Sequence, residues 1–250
     1  FKRNRQNMYL NEHFLSIQGE GAFMGRLAIF LRFNGCNLRC VGFGVKKLAP
    51  NGQILTGCDT IKAAQSEHFS PGLKASKDDL INIVKNYNAP NAMIVLSGGE
   101  PLLYHANADF LGFIEFMLAQ GKIIQIETNG TIFVDFEKFQ VLKNCYFSVS
   151  VKLANSAESK PKRINARALN ALFNNAKCFY KFVLSGDESE IGEINEILNL
   201  QKGEVWAMSL GAKASELEKR AIKVVNLCLK NGFNYSDRLH IRLWDDKEGV

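Results

Sequence analysis

The chain predicts an α/β fold with a mainly parallel sheet. Two observations carry that expectation. After about residue 90, short apolar runs alternate with amphipathic segments at helical spacing, the pattern of successive βαβ units. The 250 residues, 46% hydrophobic and 22% charged, have the size and composition of one soluble globular domain of the α/β barrel class.

Taken in order, the expected strands are Leu27–Phe33, Ala92–Leu96, Ile123–Glu127, Tyr146–Ser150, Cys178–Leu184, Val205–Met208 and Leu239–Leu243. Amphipathic segments at Asp109–Gln120, Arg163–Asn174, Ile191–Leu200 and Ser215–Asn231 are the expected helices. Between Lys46 and Leu55, Asn51-Gly52 separates two short apolar runs, a strong hairpin signal. Functional groups in such folds gather at the C-terminal ends of the strands. Gly98-Gly99-Glu100, Thr128-Asn129-Gly130 and the pair Ser150/Lys152 fall at those positions. No linker divides residues 8–250, which read as one domain. Residues 1–7 read as a tag or disordered leader before Met8.

Three cysteines stand out. Cys36 and Cys40 are spaced Cys-x-x-x-Cys, and Cys58 follows after a gap in Cys58-Asp59-Thr60. Three thiolates do not complete a structural zinc site. They can hold a [4Fe–4S] cluster and leave one iron open for chemistry. Cys145, Cys178 and Cys228 lie in apolar patterns and read as buried small hydrophobes. Cysteines without a secretory signal point to a reducing, cytoplasmic setting. No apolar run is long enough to cross a bilayer, so no membrane association is expected. The net charge of +6 suits anionic ligands and does not call for nucleic acid. The densest basic stretch, Lys160-Pro161-Lys162-Arg163, has no interleaved aromatics and reads as a solvated loop and helix start. His13, His68, His105 and His240 lack the spacing of a zinc or acid/base pair, and His240 is expected on the last strand.

The cysteine motif and its flanks resemble a known family. Phe14-Leu15-Ser16-Ile17-Gln18-Gly19-Glu20-Gly21, Phe30-Leu31-Arg32-Phe33, Gly35-Cys36-Asn37-Leu38 and Cys58-Asp59-Thr60 look like the opening of 7-carboxy-7-deazaguanine synthases. These are the QueE family of radical S-adenosylmethionine (SAM) enzymes. Ser97-Gly98-Gly99-Glu100-Pro101, Ile126-Glu127-Thr128-Asn129-Gly130-Thr131, Ser150-Val151-Lys152, Val205-Trp206-Ala207-Met208 and Arg238-Leu239-His240-Ile241 continue the resemblance in order. The spacing departs at one place. The family's usual Cys-x3-Cys-x2-Cys would put the third cysteine at position 43, where Phe43 stands. Residues 41–57 read as a hairpin inserted into the cluster loop, whose ends return Cys58 to the missing ligand's place.

The resemblance implies a partial, open (β/α)6 barrel and a lyase acting on 6-carboxy-5,6,7,8-tetrahydropterin. The product would be 7-carboxy-7-deazaguanine, formed with loss of ammonia on the way to queuosine and other deazapurines used in tRNA modification. It implies a [4Fe–4S] cluster on Cys36, Cys40 and Cys58, and Mg²⁺ at Thr60, which is also a good helix N-cap. For SAM it implies Gly57, Asp59, Gly99, Glu100, Glu127, Ser150, Lys152, Met208, Ser209, Leu210 and Gly211, with Ser209 where the family usually has proline. Glu100 would meet the methionine amine and Lys152 its carboxylate. For the pterin it implies Ile17, Gln18, Gly19, Glu20, Arg32 and Ser97. A carboxylate such as Glu20 can accept from a 2-aminopyrimidinone edge, and Arg32 can fork onto a substrate carboxylate or serve a structural ion pair. A small electron donor such as flavodoxin and a homodimer are implied with them. Rival readings are another radical SAM enzyme, such as a glycyl-radical activase, or a non-catalytic pterin-binding relative with a defective cluster site.

Overall fold

The structure, a computed structural model, describes residues 7–247, 249 and 250. The expected leader at 1–7 therefore lies outside the described residues except for Asn7. The chain opens with an antiparallel pair, β1 (Tyr9–Ile17) and β2 (Leu27–Phe33). The segment expected as an insertion then forms a separate two-stranded hairpin, β3 (Val45–Leu48) and β4 (Ile54–Gly57). Helix α1 (Ile61–Ala64), edge strand β5 (Leu73–Lys74) and helix α2 (Lys77–Asn86) lead to β6 (Met93–Gly98). Ser76 and Asp79 close a capping box at the start of α2, which fixes where that helix begins.

From β6 the chain alternates. Helix α3 (Ala108–Ala119) leads to β7 (Ile124–Thr128), and an irregular connection leads on to β8 (Tyr146–Val149). Helices α4 (Lys160–Arg163) and α5 (Ala166–Asn175) precede β9 (Lys177–Leu184). Helix α6 (Ser189–Leu200), β10 (Val205–Ser209), α7 (Ala214–Asn231), β11 (Asn234–Tyr235) and α8 (Leu239–Trp244) complete it. The large sheet runs β11-β10-β9-β8-β7-β6-β2-β1-β5. Its strands from β2 to β11 are parallel, and among the described residues no pairing joins its two edges. This is the open partial barrel that the resemblance implied.

Side-chain alternation divides the sheet's two faces. Ile94, Leu96, Ile124, Ile126, Tyr180 and Phe182 join the main apolar core with Phe110, Phe113 and Ile114 of α3. The opposite face begins with Ala28, Phe30, Met93 and Val95, a small apolar floor. Further along β2 and β6, and on neighbouring β7, that face turns polar, with Arg32, Ser97 and Glu127 lining a cavity.

Two expectations need correction. Leu239–Leu243 is not a strand: it lies in α8, and the last strand is the two-residue β11. The period-two pattern of Leu239, Ile241 and Leu243 is overridden by anchors at the start of this stretch. The Leu239 N–H donates to the Gly19 carbonyl, and Arg238 is held by three partners. The stretch 160–163 is not simply solvated either. Arg163 is buried, pairing with Glu193 at 2.6 Å and donating to the Lys152 carbonyl. Ser150 and Lys152 lie just past the end of β8, yet they keep its alternation, with Val149, Val151 and Leu153 in the core.

Candidate active site

A cavity of about 590 Å³ opens at the C-terminal ends of the parallel strands, within the range typical of small-molecule sites. Every site residue expected from sequence lines it except Gly57, Glu100, Met208 and Ser209, which stand behind its wall. Gly57 pairs with Val45 at the base of the inserted hairpin. Met208 and Ser209 are buried at the end of β10, paired with Val183 and Leu184 of β9.

The hairpin returns its ends to neighbouring positions, and Cys36, Cys40 and Cys58 all face the cavity as free thiols. Cys40 adopts a left-handed backbone (φ 47°), a strained conformation for a residue with a Cβ. Glu158 holds the turn by accepting from the Arg39 and Cys40 N–H groups at 2.5 and 3.2 Å. Burial pushes the Cys36 thiol up to about 12, helped by Glu100, and burial does the same to Cys40. Cys58 is also shifted upward by burial. Ligation would therefore have to displace protons from all three.

These residues fit an iron–sulfur cluster. Among the described residues no three His, Cys, Asp or Glu side chains converge to hold a single metal ion. Three thiols that line one cavity, close enough to act on one another electrostatically, suit a cluster that takes one cysteine per iron. The Leu38 N–H and the Asn129 amide donate to the Cys36 sulfur at 3.4 and 3.9 Å, the outer-layer donors that tune such a centre.

The double glycine has a packing reason. A Cβ on Gly99 would stand 2.1 Å from the Gly35 carbonyl oxygen and 2.9 Å from Cys36 Cβ. One on Gly98 would meet the Phe33 carbonyl oxygen at 2.1 Å, and its φ is 137°. The glycines let β6 end against the Cys36 loop. Glu100 is fully buried. It accepts from the Leu102 N–H at 3.0 Å, the Thr128 hydroxyl at 2.9 Å and the Asn129 N–H at 2.7 Å. Burial raises its carboxyl to about 7 despite those three bonds. Its visible work is tying the ends of β6 and β7 together.

A charged network fills the other wall. Glu20 accepts from Lys181 Nζ at 2.7 Å through one oxygen and from Arg238 Nε at 2.8 Å through the other. Burial alone would raise the Glu20 carboxyl, but Lys181, Arg238 and His240 hold it well below its usual value. Lys181 also reaches Glu127 at 3.2 Å. Glu127 accepts from Ser97 at 2.9 Å and from Gln18 at 3.3 Å. Arg238 donates further to Asp59 at 2.6 Å and to the Gly211 carbonyl at 2.5 Å. His240 packs so tightly on Gly19 that a Cβ there would lie 2.1 Å from its Nδ1. Burial lowers the His240 imidazole, which favours the neutral ring.

Arg32 sits between the two readings considered for it. Its Nε donates to Glu12 at 2.7 Å, and the guanidinium still lines the cavity. Thr60 occupies the N-cap position of α1 without capping it; its hydroxyl lies 3.4 Å from Cys58 Sγ. Lys152 bonds the Ser150 hydroxyl at 2.9 Å and lies 5.9 Å over the Phe43 ring. Lys181, Arg238 and His240 carry no site assignment from sequence. The signal for Lys181 was a charge inside the apolar strand run Phe179–Leu184, and for Arg238 a motif whose partners lie far away in the chain.

A family model for a 4Fe-4S single cluster domain matches residues 17–173. A 7-carboxy-7-deazaguanine synthase of Halobacterium salinarum is 32% identical over 95% of this chain and 90% of its own length. The chain belongs to the 7-carboxy-7-deazaguanine synthase family. A synthase of Aquifex aeolicus is 34% identical over 88% of this chain and 85% of its own. In fold, the crystal structure of QueE from Escherichia coli is similar, with a TM-score of 0.65 and 20% identity, covering 96% of this chain and all of that one. As a synthase of this family the protein is a radical SAM lyase. An iron–sulfur cluster and SAM are its cofactor classes. No helix among the described residues is long and apolar enough to cross a membrane.

Proposed function

We propose that the protein converts 6-carboxy-5,6,7,8-tetrahydropterin to 7-carboxy-7-deazaguanine with loss of ammonia, within queuosine and related deazapurine biosynthesis. One observation carries the reading: the three thiols and the Gln18–Glu20 loop open into the same cavity, in a chain similar to synthases along most of its length.

The protein's own groups fit the task. Cys36, Cys40 and Cys58 would hold the cluster, which when bound supplies the electron that cleaves SAM. Lys152 and Ser150, at the end of β8, are set to meet the methionine carboxylate. Leu210 and Gly211 offer backbone and an apolar wall to the adenine. Arg32 uses one donor on Glu12 and keeps the paired terminal N–H groups for a substrate carboxylate. The Gln18 amide is fixed at both ends, donating to Glu127 and accepting from the Glu20 N–H at 3.1 Å. Each Glu20 oxygen holds one cation and retains a lone pair for a 2-aminopyrimidinone edge. Thr60 would supply a hard oxygen to Mg²⁺, with waters and substrate oxygens completing its shell. Family membership supports a flavodoxin-type electron donor and a homodimer.

The test is anaerobic reconstitution followed by incubation with SAM, dithionite, Mg²⁺ and carboxytetrahydropterin, with the product followed by mass. Formation of 7-carboxy-7-deazaguanine that disappears in Cys58→Ala is the expected result. SAM cleavage without that product would assign the site to a different substrate.

A further inference from the structure

Lys181 is charged, 8% exposed and inside the cavity wall. Its strand, β9, places it on the lumen face between Phe179 and Val183, away from the core-facing Tyr180 and Phe182. An ammonium buried in this way has to be paired. Its two partners come from different halves of the site: Glu20 at 2.7 Å, on the loop assigned to the pterin, and Glu127 at 3.2 Å, on the strand end assigned to SAM. The two carboxylates are not equally supplied with cations. Glu20 also has Arg238 at 2.8 Å. Glu127 has otherwise only the neutral donors Ser97 and Gln18 among the described residues.

We propose that Lys181 is a positioning residue that fixes the pterin-binding loop against Glu127, setting the distance between the two bound reactants. The inference rests on the function proposed above for its catalytic half. The physical argument is that hydrogen transfer between two ligands depends steeply on their separation. A single ammonium bonded to both carboxylates transmits the position of one half of the site to the other. Its third donor is left for the cavity. Loosening this link would let SAM be cleaved while the pterin is out of reach.

The decisive readout is the ratio of deazaguanine product to 5′-deoxyadenosine in the anaerobic assay, for wild type, Lys181→Met and Lys181→Arg. Lys181→Met is expected to lower the ratio about three- to tenfold, with Lys181→Arg recovering part of it. A merely destabilised enzyme would lose both products in proportion, and an unchanged ratio in Lys181→Met overturns the assignment. A double-mutant cycle on thermal unfolding of the reconstituted proteins provides the second measurement. Lys181→Met should lower the midpoint, and adding Glu127→Gln should restore much of it, because the stranded carboxylate is gone. Strictly additive effects would overturn the pairing. If wild type cleaves SAM but makes no deazaguanine, the functional reading fails. The Lys181–Glu127 link is then judged by the cycle alone.

Discussion

Glu20 shows how a buried carboxylate stays ionised: desolvation raises its pKa, and Lys181, Arg238 and His240 lower it by more. Its folded value therefore lies below the unfolded one, so its contribution to stability is complete above about 4.5 and is lost as pH falls through the folded value. Thermal melts between pH 7 and 3 should show a fall in midpoint below about 4.5 that flattens in Glu20→Gln. At neutral pH that variant leaves Lys181 with Glu127 and Arg238 with Asp59 as their remaining carboxylates, and a loss of about 1.5–3 kcal/mol is expected in denaturant titrations. At the thiols the contrast is between Cys58 and Cys178. Cys58→Ser should lose most of its iron and sulfide after reconstitution. Cys178→Ser should retain both, because Cys178 sits on β9 outside the cavity lining.

Among the elements, the β3–β4 hairpin is the one that brings the third cysteine of the motif back to the cavity in spite of its spacing. Val45 pairs with Gly57 at its base, so residues far apart in sequence enter and leave at the same place and Cys58 joins Cys36 and Cys40. The end of β6 depends on the Cys36 loop in a different way, through backbone contact at Gly99. Gly99→Ala should cost about 1–3 kcal/mol by overpacking, read as a lowered unfolding midpoint and poorer cluster retention. The hairpin was legible because Asn51-Gly52 is a local signal, and Gly52 does adopt φ 85°. Strand β1 was not, since its burial alternates weakly and a register shift near Leu10 and Glu12 interrupts it. Helix α8 was read as a strand because its period-two pattern is local, while the contacts that make it helical come from Gly19, Glu20 and Asp59.

For the molecule as a whole, Arg238 ties together segments that the chain keeps far apart: the Glu20 loop, the cluster loop at Asp59 and the turn at Gly211. Lysine keeps the charge but lacks the planar fork, so Arg238→Lys should lower the melting temperature and weaken SAM and pterin binding together, measured by calorimetry and equilibrium dialysis. The sequence by itself determined the parallel α/β order, the three thiols that meet in the cavity and most of the cavity wall. Those follow from periodicity, from cysteine chemistry and from motifs that are contiguous along the chain. Only the tertiary structure decided that Glu100 braces two strands, that Arg163 is buried, and that Lys181, Arg238 and His240 belong to the site. Each of those outcomes depends on which distant group neutralises or desolvates a side chain, and the local sequence does not name that partner.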